Sequence, residues 1–121
     1  MSEHQPFTIA PLSEMERNGD WTLVRRSLGV ESFGLNVVEI AEGASIPEHD
    51  ESGRDQEEVF MALSGSPLLV IDGEEHPLPK GTLARLAPEP RRTVRNPGPG
   101  VARLLIISAP TSSGYVGMSW A

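Results

Sequence analysis

The sequence predicts an all-β domain, a sandwich or barrel with one short helix near its start, on three observations. Twelve glycines and eleven prolines punctuate the 121 residues at intervals, between short β-branched or apolar runs. Two of these runs, 67–71 and 74–78, are separated by Asp72-Gly73, which supplies the positive φ angles of a tight hairpin turn. No long stretch carries helical periodicity. The length fits one domain, 1–121, that buries roughly two thirds of its unfolded surface and folds without staples.

The elements follow in order. Ser13 and Glu16 make a capping box and Gly19 is placed to end the turn, so the helix is expected there. Strands are expected over 21–27 and 32–40, then a turn at Glu42-Gly43 and a short run into His49. Residues 50–56, DESGRDQ, read as a polar loop that opens into a strand over 57–63, closed by Gly65. After the hairpin, Pro79-Lys80-Gly81 turns the chain into 82–86, and the Pro88-Glu89-Pro90 loop follows. Runs 92–96 and 101–108 supply the last substantial strands, nine or ten in all. The tail, 111–121, is expected to pack across the domain through Tyr115, Met118 and Trp120.

Composition excludes several chemistries. With no cysteine there is no disulfide, thiolate metal site or cysteine nucleophile. A net charge of −7 repels nucleic acid and anionic lipid, so neither is an expected partner. The first residues lack the basic start and apolar core of a signal peptide, and no run reaches the roughly 18 apolar residues of a membrane span, so a cytoplasmic protein is expected. A Gly-rich phosphate loop and a Gly-x-Ser-x-Gly elbow are both absent. Charge is concentrated in two places: Glu48, Asp50, Glu51, Asp55, Glu57 and Glu58 in one segment, Arg85, Arg91, Arg92 and Arg95 in a later one. These either face each other or are two solvated surfaces.

Chemistry is expected in 43–65, where one histidine and six carboxylates lie between two glycines. Here the chain resembles the cupins, whose first motif runs Gly, five residues, His-x-His, three or four residues, Glu, six residues, Gly. Gly43, His49, Glu58 and Gly65 fit it, with Glu51 at the second His position and six residues between Glu51 and Glu58. The second motif runs Gly, five residues, Pro-x-Gly, two residues, His, three residues, Asn. Gly81 and Asn96 bracket it over 81–96, and Ala87, Glu89 and Arg92 hold the Pro, Gly and His positions. The resemblance implies a double-stranded β-helix, or jelly-roll barrel, and a homodimer. It also implies a metal held inside by three histidines and a glutamate, of which His49 and Glu58 are retained.

His49 and Glu58 are the candidate catalytic pair, and with a helper they could hold one divalent transition metal, iron, manganese, nickel or zinc. The helper is Gln56 or Glu51; strand alternation puts Gln56 on the face of Glu58 and makes it the preferred third ligand. Without a metal, Arg92 either neutralises Glu58 or holds a ligand's carboxylate, or else points to solvent while Arg91 faces inward. His49 is otherwise a strand-end histidine bonded to the acidic loop, and His4 and His76 are read as incidental. Phe60, Leu86 and Val94 line a pocket or the core, while Trp21, Phe33 and Trp120 are ambiguous between packing and a dimer contact. The expected ligand-binding set is thus Arg92, Gln56, Glu51, Phe60 and Asn96. Two functions remain. One is a binding module for a small polar or anionic organic molecule, favoured by the depleted ligand set; the other is a metal-dependent dioxygenase- or isomerase-type enzyme, or a metal-free proton-transfer one.

Overall fold

The computed structural model describes residues 6–121; His4 lies outside them. Nine strands are present among these residues, all antiparallel and in two sheets. They are β1 (Arg17–Asn18), β2 (Trp21–Thr22), β3 (Gly34–Ile40), β4 (Gln56–Ser64), β5 (Leu68–Ile71), β6 (Glu74–Pro77), β7 (Leu83–Leu86), β8 (Arg92–Arg95) and β9 (Ala102–Pro110). The larger sheet runs β1-β2-β3-β9-β4-β7 and the smaller β6-β5-β8. Isolated bridges from Ser45 to Arg95 and from His49 to Arg92 attach the run before the acidic loop to the free edge of β8.

The turn chemistry is where the sequence puts it. Asp72 and Gly73 both have positive φ, 48° and 84°, and join β5 to β6. Gly65 is required twice over: its φ is +80°, and a Cβ there would lie 2.9 Å from the Ala102 Cβ.

Period-2 alternation separates the faces of the long strands. Inward residues are Asn36, Val38 and Ile40 on β3; Gln56, Glu58, Phe60 and Ala62 on β4; and Ala102, Leu104, Ile106 and Ser108 on β9. Leu69, Leu78, Leu86, Val94 and Ile46 complete an apolar core with Phe60 and Leu104. Register aligns the polar ends of these strands: Glu58 sits opposite Ser108, and Asn36 opposite Ile106, so one end of the barrel is polar and the other filled.

The N-terminal third differs from expectation. At Ser13 there is only a 3₁₀ turn, Leu12–Glu14, and the Glu16 N–H goes to Ser27 Oγ at 3.1 Å instead of closing a capping box. The following residues are taken up by the β1-β2 ribbon. The strand expected over 21–27 stops after Thr22 and winds into α1 (Val24–Leu28), which buries Val24 and packs against β3. Gly29, at φ 80°, closes α1 as a left-handed cap, its N–H bonded to the Arg25 carbonyl. The tail is the second difference: Tyr115, Val116, Met118 and Trp120 are all exposed. No helix among the described residues is long and apolar enough to cross a membrane.

Candidate functional site

The polar end of the barrel gathers His49, Glu51 and Glu58, one ligand atom from each lying within 4.8 Å of the others. Glu58 points inward from β4 and is buried. His49 is held opposite Arg92 by a pair of backbone hydrogen bonds, 2.9 and 2.8 Å. Glu51 is fixed by its backbone: its N–H donates to the Pro88 carbonyl, and its own carbonyl accepts from the N–H groups of Arg54 and Gln56.

The imidazole orientation follows from its second nitrogen. Nδ1 lies 3.0 Å from the Pro47 carbonyl oxygen, which can only accept, so Nδ1 carries the proton. Nε2 then faces Glu51 Oε2 at 3.3 Å and Glu58 Oε1 at 3.6 Å. A bare nitrogen lone pair against two carboxylates is repulsive. The contact is attractive with a second ring proton, a proton on one of the carboxyl groups, or a cation shared by all three groups. Burial first, and then the neighbouring Glu51 carboxylate, push the Glu58 pKa above the usual carboxylate range; Arg92 and His49 pull the other way.

Arg92 is fully buried, which settles the register: the neighbouring Arg91 is on the surface, 3.4 Å from Glu48 and 3.9 Å from Asp50. The Arg92 guanidinium is taken up by backbone. Its Nη1 donates to the carbonyls of Pro88 (3.1 Å) and Pro90 (2.7 Å), and its Nη2 to that of Ala87 (2.6 Å). Only Nε, at 3.4 Å from Glu58 Oε1, faces the site. Arg92 therefore staples the 87–90 loop, whose Pro88 carbonyl also holds Glu51. The acidic and basic segments do face each other in part, through the Arg92–Glu58, Arg91–Glu48 and Arg85–Glu57 pairs.

The structure places three further expected residues. Gln56, with its amide oriented so that both ends are paired, donates Nε2 to Glu51 Oε1 (3.2 Å) and accepts from Arg54 Nη2 (3.3 Å). It supports Glu51, and Glu51 takes the place beside the imidazole that alternation assigned to Gln56. Phe60 is wholly inside the apolar core. Asn96 lies at the opposite end of β8 from Arg92, where its Nδ2 donates to the carbonyls of Ile40 and Gly100 and its Oδ1 accepts from Gly98 N–H. Phe60 and Asn96 are scaffold, and neither faces the cavity.

The three groups open into a cavity of about 290 Å³, walled by Trp21, Ile46, Ile106 and Ser108, with Arg54 and Gln56 at its edge. Asn36 and Ser108, polar positions on otherwise apolar inward faces, were the signal in the sequence for this lining. Nothing local marked Trp21 or Arg54.

A family model for the cupin domain matches residues 36–108, a span that includes both motifs. The chain belongs to the cupin family. Solved cupins share its jelly-roll fold. A cupin protein of Bacteroides fragilis is 21% identical, with 97% of this chain and 94% of that chain covered and a TM-score of 0.79. A sugar phosphate isomerase of the cupin superfamily from Silicibacter pomeroyi is 24% identical, with 87% and 69% covered and a TM-score of 0.66. A predicted oxalate decarboxylase of Thermotoga maritima is 16% identical, with 64% and 65% covered and a TM-score of 0.59. No curated protein matches the chain significantly.

The donor set of this cupin fits a metal. One imidazole nitrogen and two carboxylate oxygens suit iron, manganese, nickel or zinc, and Glu58 Oε1 is a buried atom with no hydrogen-bond partner. The Pro47 carbonyl and the Gln56 amide are the outer partners that such ligands require.

Proposed function

We propose that this cupin holds one divalent transition metal on His49, Glu51 and Glu58 and binds a small polar organic ligand over it, in the cavity walled by Trp21 and Ile106. The observation that carries this reading is the convergence of the three donors, with Nε2 turned toward two carboxylates and Glu58 Oε1 left without a hydrogen bond beside the Arg92 charge. Three protein donors leave coordination positions open for a ligand. A metal there would act as a Lewis acid on a carbonyl or hydroxyl oxygen. Trp21, Ile46 and Ile106 exclude water from one side of the ligand, while Ser108 and Asn36 offer it hydrogen bonds.

The fold shared with a sugar phosphate isomerase and a predicted oxalate decarboxylase agrees with a small, oxygen-rich ligand. The test is elemental analysis of untagged protein purified without chelators and reconstituted with each metal in turn. About one equivalent per chain is expected, falling in the Glu51→Gln and His49→Ala variants. No uptake of any metal would overturn the reading and leave Arg92 as the cation that serves Glu58. The homodimer that family resemblance implies is part of this proposal, supported by exposed Phe7, Ile9 and Leu83; a single monomer species in sedimentation equilibrium would remove it.

A further inference from the structure

Beside the site cavity lies a larger vestibule of about 500 Å³, lined by Arg25, Glu31, Phe33, Gly34 and Pro110 and sharing Asn36, Arg54, Gln56 and Ser108 with the inner cavity. Arg54 stands at the junction of the two. Most arginines of this chain are paired: Arg17, Arg26, Arg85, Arg91, Arg92 and Arg95 each have a carboxylate within 4.0 Å. Among the described residues Arg25, Arg54 and Arg103 have no carboxylate at that distance, in a chain of net charge −7 where carboxylates are plentiful. Arg25 makes only a 3.4 Å bond to the Val30 carbonyl, and Arg54 only the bond to Gln56. Arg25 and Arg54 line the same vestibule, which holds a single carboxylate, Glu31, whereas Arg103 lies outside it.

We propose that Arg25 and Arg54 form an oxyanion subsite, so that the ligand of this cupin is a small organic anion bound by its carboxylate or phosphate at the vestibule and by a neutral oxygen at the floor. The proposal deepens the reading of the cavity as a ligand chamber. A guanidinium fork matches the oxygens of either anion, and charge at the mouth raises the local concentration of anions. Charge balance fixes the direction of entry: the two guanidinium groups hold the charged end outward, while at the floor Glu51 and Glu58 already balance a divalent ion and leave a neutral oxygen as the partner. The position of Arg25 depends on α1, the turn of helix inserted where the sequence suggested a strand.

The test is isothermal titration calorimetry with glycerol 3-phosphate, glycerate and glycerol, on wild type, Arg25→Gln, Arg54→Gln and Glu58→Gln. Arg26→Gln is the control, because Arg26 is paired with Glu16 and does not line the vestibule. One or both anions bind wild type and glycerol does not; their comparison tells phosphate from carboxylate. Each vestibule substitution weakens binding about tenfold, and Arg26→Gln leaves it unchanged. Added salt weakens binding in wild type. Retained, arginine-dependent binding in Glu58→Gln would support the subsite even if no metal is taken up. Anion binding that is lost in Glu58→Gln but indifferent to both arginines would overturn it and place the anion at the floor. No binding of either anion would also overturn it.

Discussion

Replacing Arg92 with methionine tests how the site is held together. Methionine keeps much of the apolar stem, so the loss is the guanidinium itself. Three loop carbonyls, at 2.6, 2.7 and 3.1 Å, lose their charged donor, and Glu58 loses the cation 3.4 Å from its Oε1. Breaking a buried ion pair from one side costs about 3–5 kcal/mol, because the other charge remains desolvated. Each carbonyl adds about 1 kcal/mol where water cannot replace the donor, and water can reach part of this loop. A loss of about 4–5 kcal/mol is therefore expected, a large fraction of the roughly 5–15 kcal/mol by which domains of this size are stable. In urea, with a slope near 2 kcal/mol/M, the midpoint falls by roughly 2 M. The assay is urea unfolding followed by circular dichroism, in chelator, for Arg92→Met, Glu58→Gln and the double variant. A coupling of at least about 1 kcal/mol is expected, since Glu58→Gln removes the stranded charge. Arg92→Lys should be intermediate, restoring charge without the fork. A loss below about 1 kcal/mol in Arg92→Met would refute the loop-stapling argument, and additive singles would refute the pair.

The remaining predictions concern the partners of the site, its titration and the tail. Gln56→Ala, which frees Glu51 without removing a donor of the triad, should weaken metal affinity about 10- to 100-fold in a competition titration and leave the stoichiometry intact; lost stoichiometry would make Gln56 a ligand. The raised Glu58 pKa means that the folded form holds its proton to higher pH than the unfolded chain, so Glu58 favours folding below about pH 4.3 and loses that contribution as pH rises through its folded value. In chelator, the stability of wild type relative to Glu58→Gln should fall with rising pH over that window; a rise would show that Arg92 and His49 outweigh burial. Deleting residues 112–121 should change the urea midpoint by no more than about 0.5 kcal/mol-equivalent, because Tyr115, Val116, Met118 and Trp120 are all largely exposed; a larger fall would mean the tail packs after all.

What the sequence determined by itself was local and periodic. Alternation over 56–64 fixed which side chains of β4 face inward, Asp72-Gly73 specified its hairpin, and the spacing of Gly43, His49, Glu58 and Gly65 placed the site at the end of that strand. These follow from period 2 and from allowed φ angles, which need no distant partner. Tertiary structure decided the rest. Ser27 captured the Glu16 N–H and left Ser13 without its capping box, and the turn beginning at Val24 became helical where it packs against β3. Arg92 reached its position as the motif spacing required, but its fork went to three carbonyls of the loop just before it, two to five residues back, because burial of the side chain in the fold turns it onto that loop. Choosing Glu51 over Gln56 beside His49 depended on the Pro88 carbonyl, 37 positions away, holding the Glu51 backbone. Alternation specifies which face a side chain leaves from; which group it meets is set by pairing between distant segments, and only the folded chain brings those together.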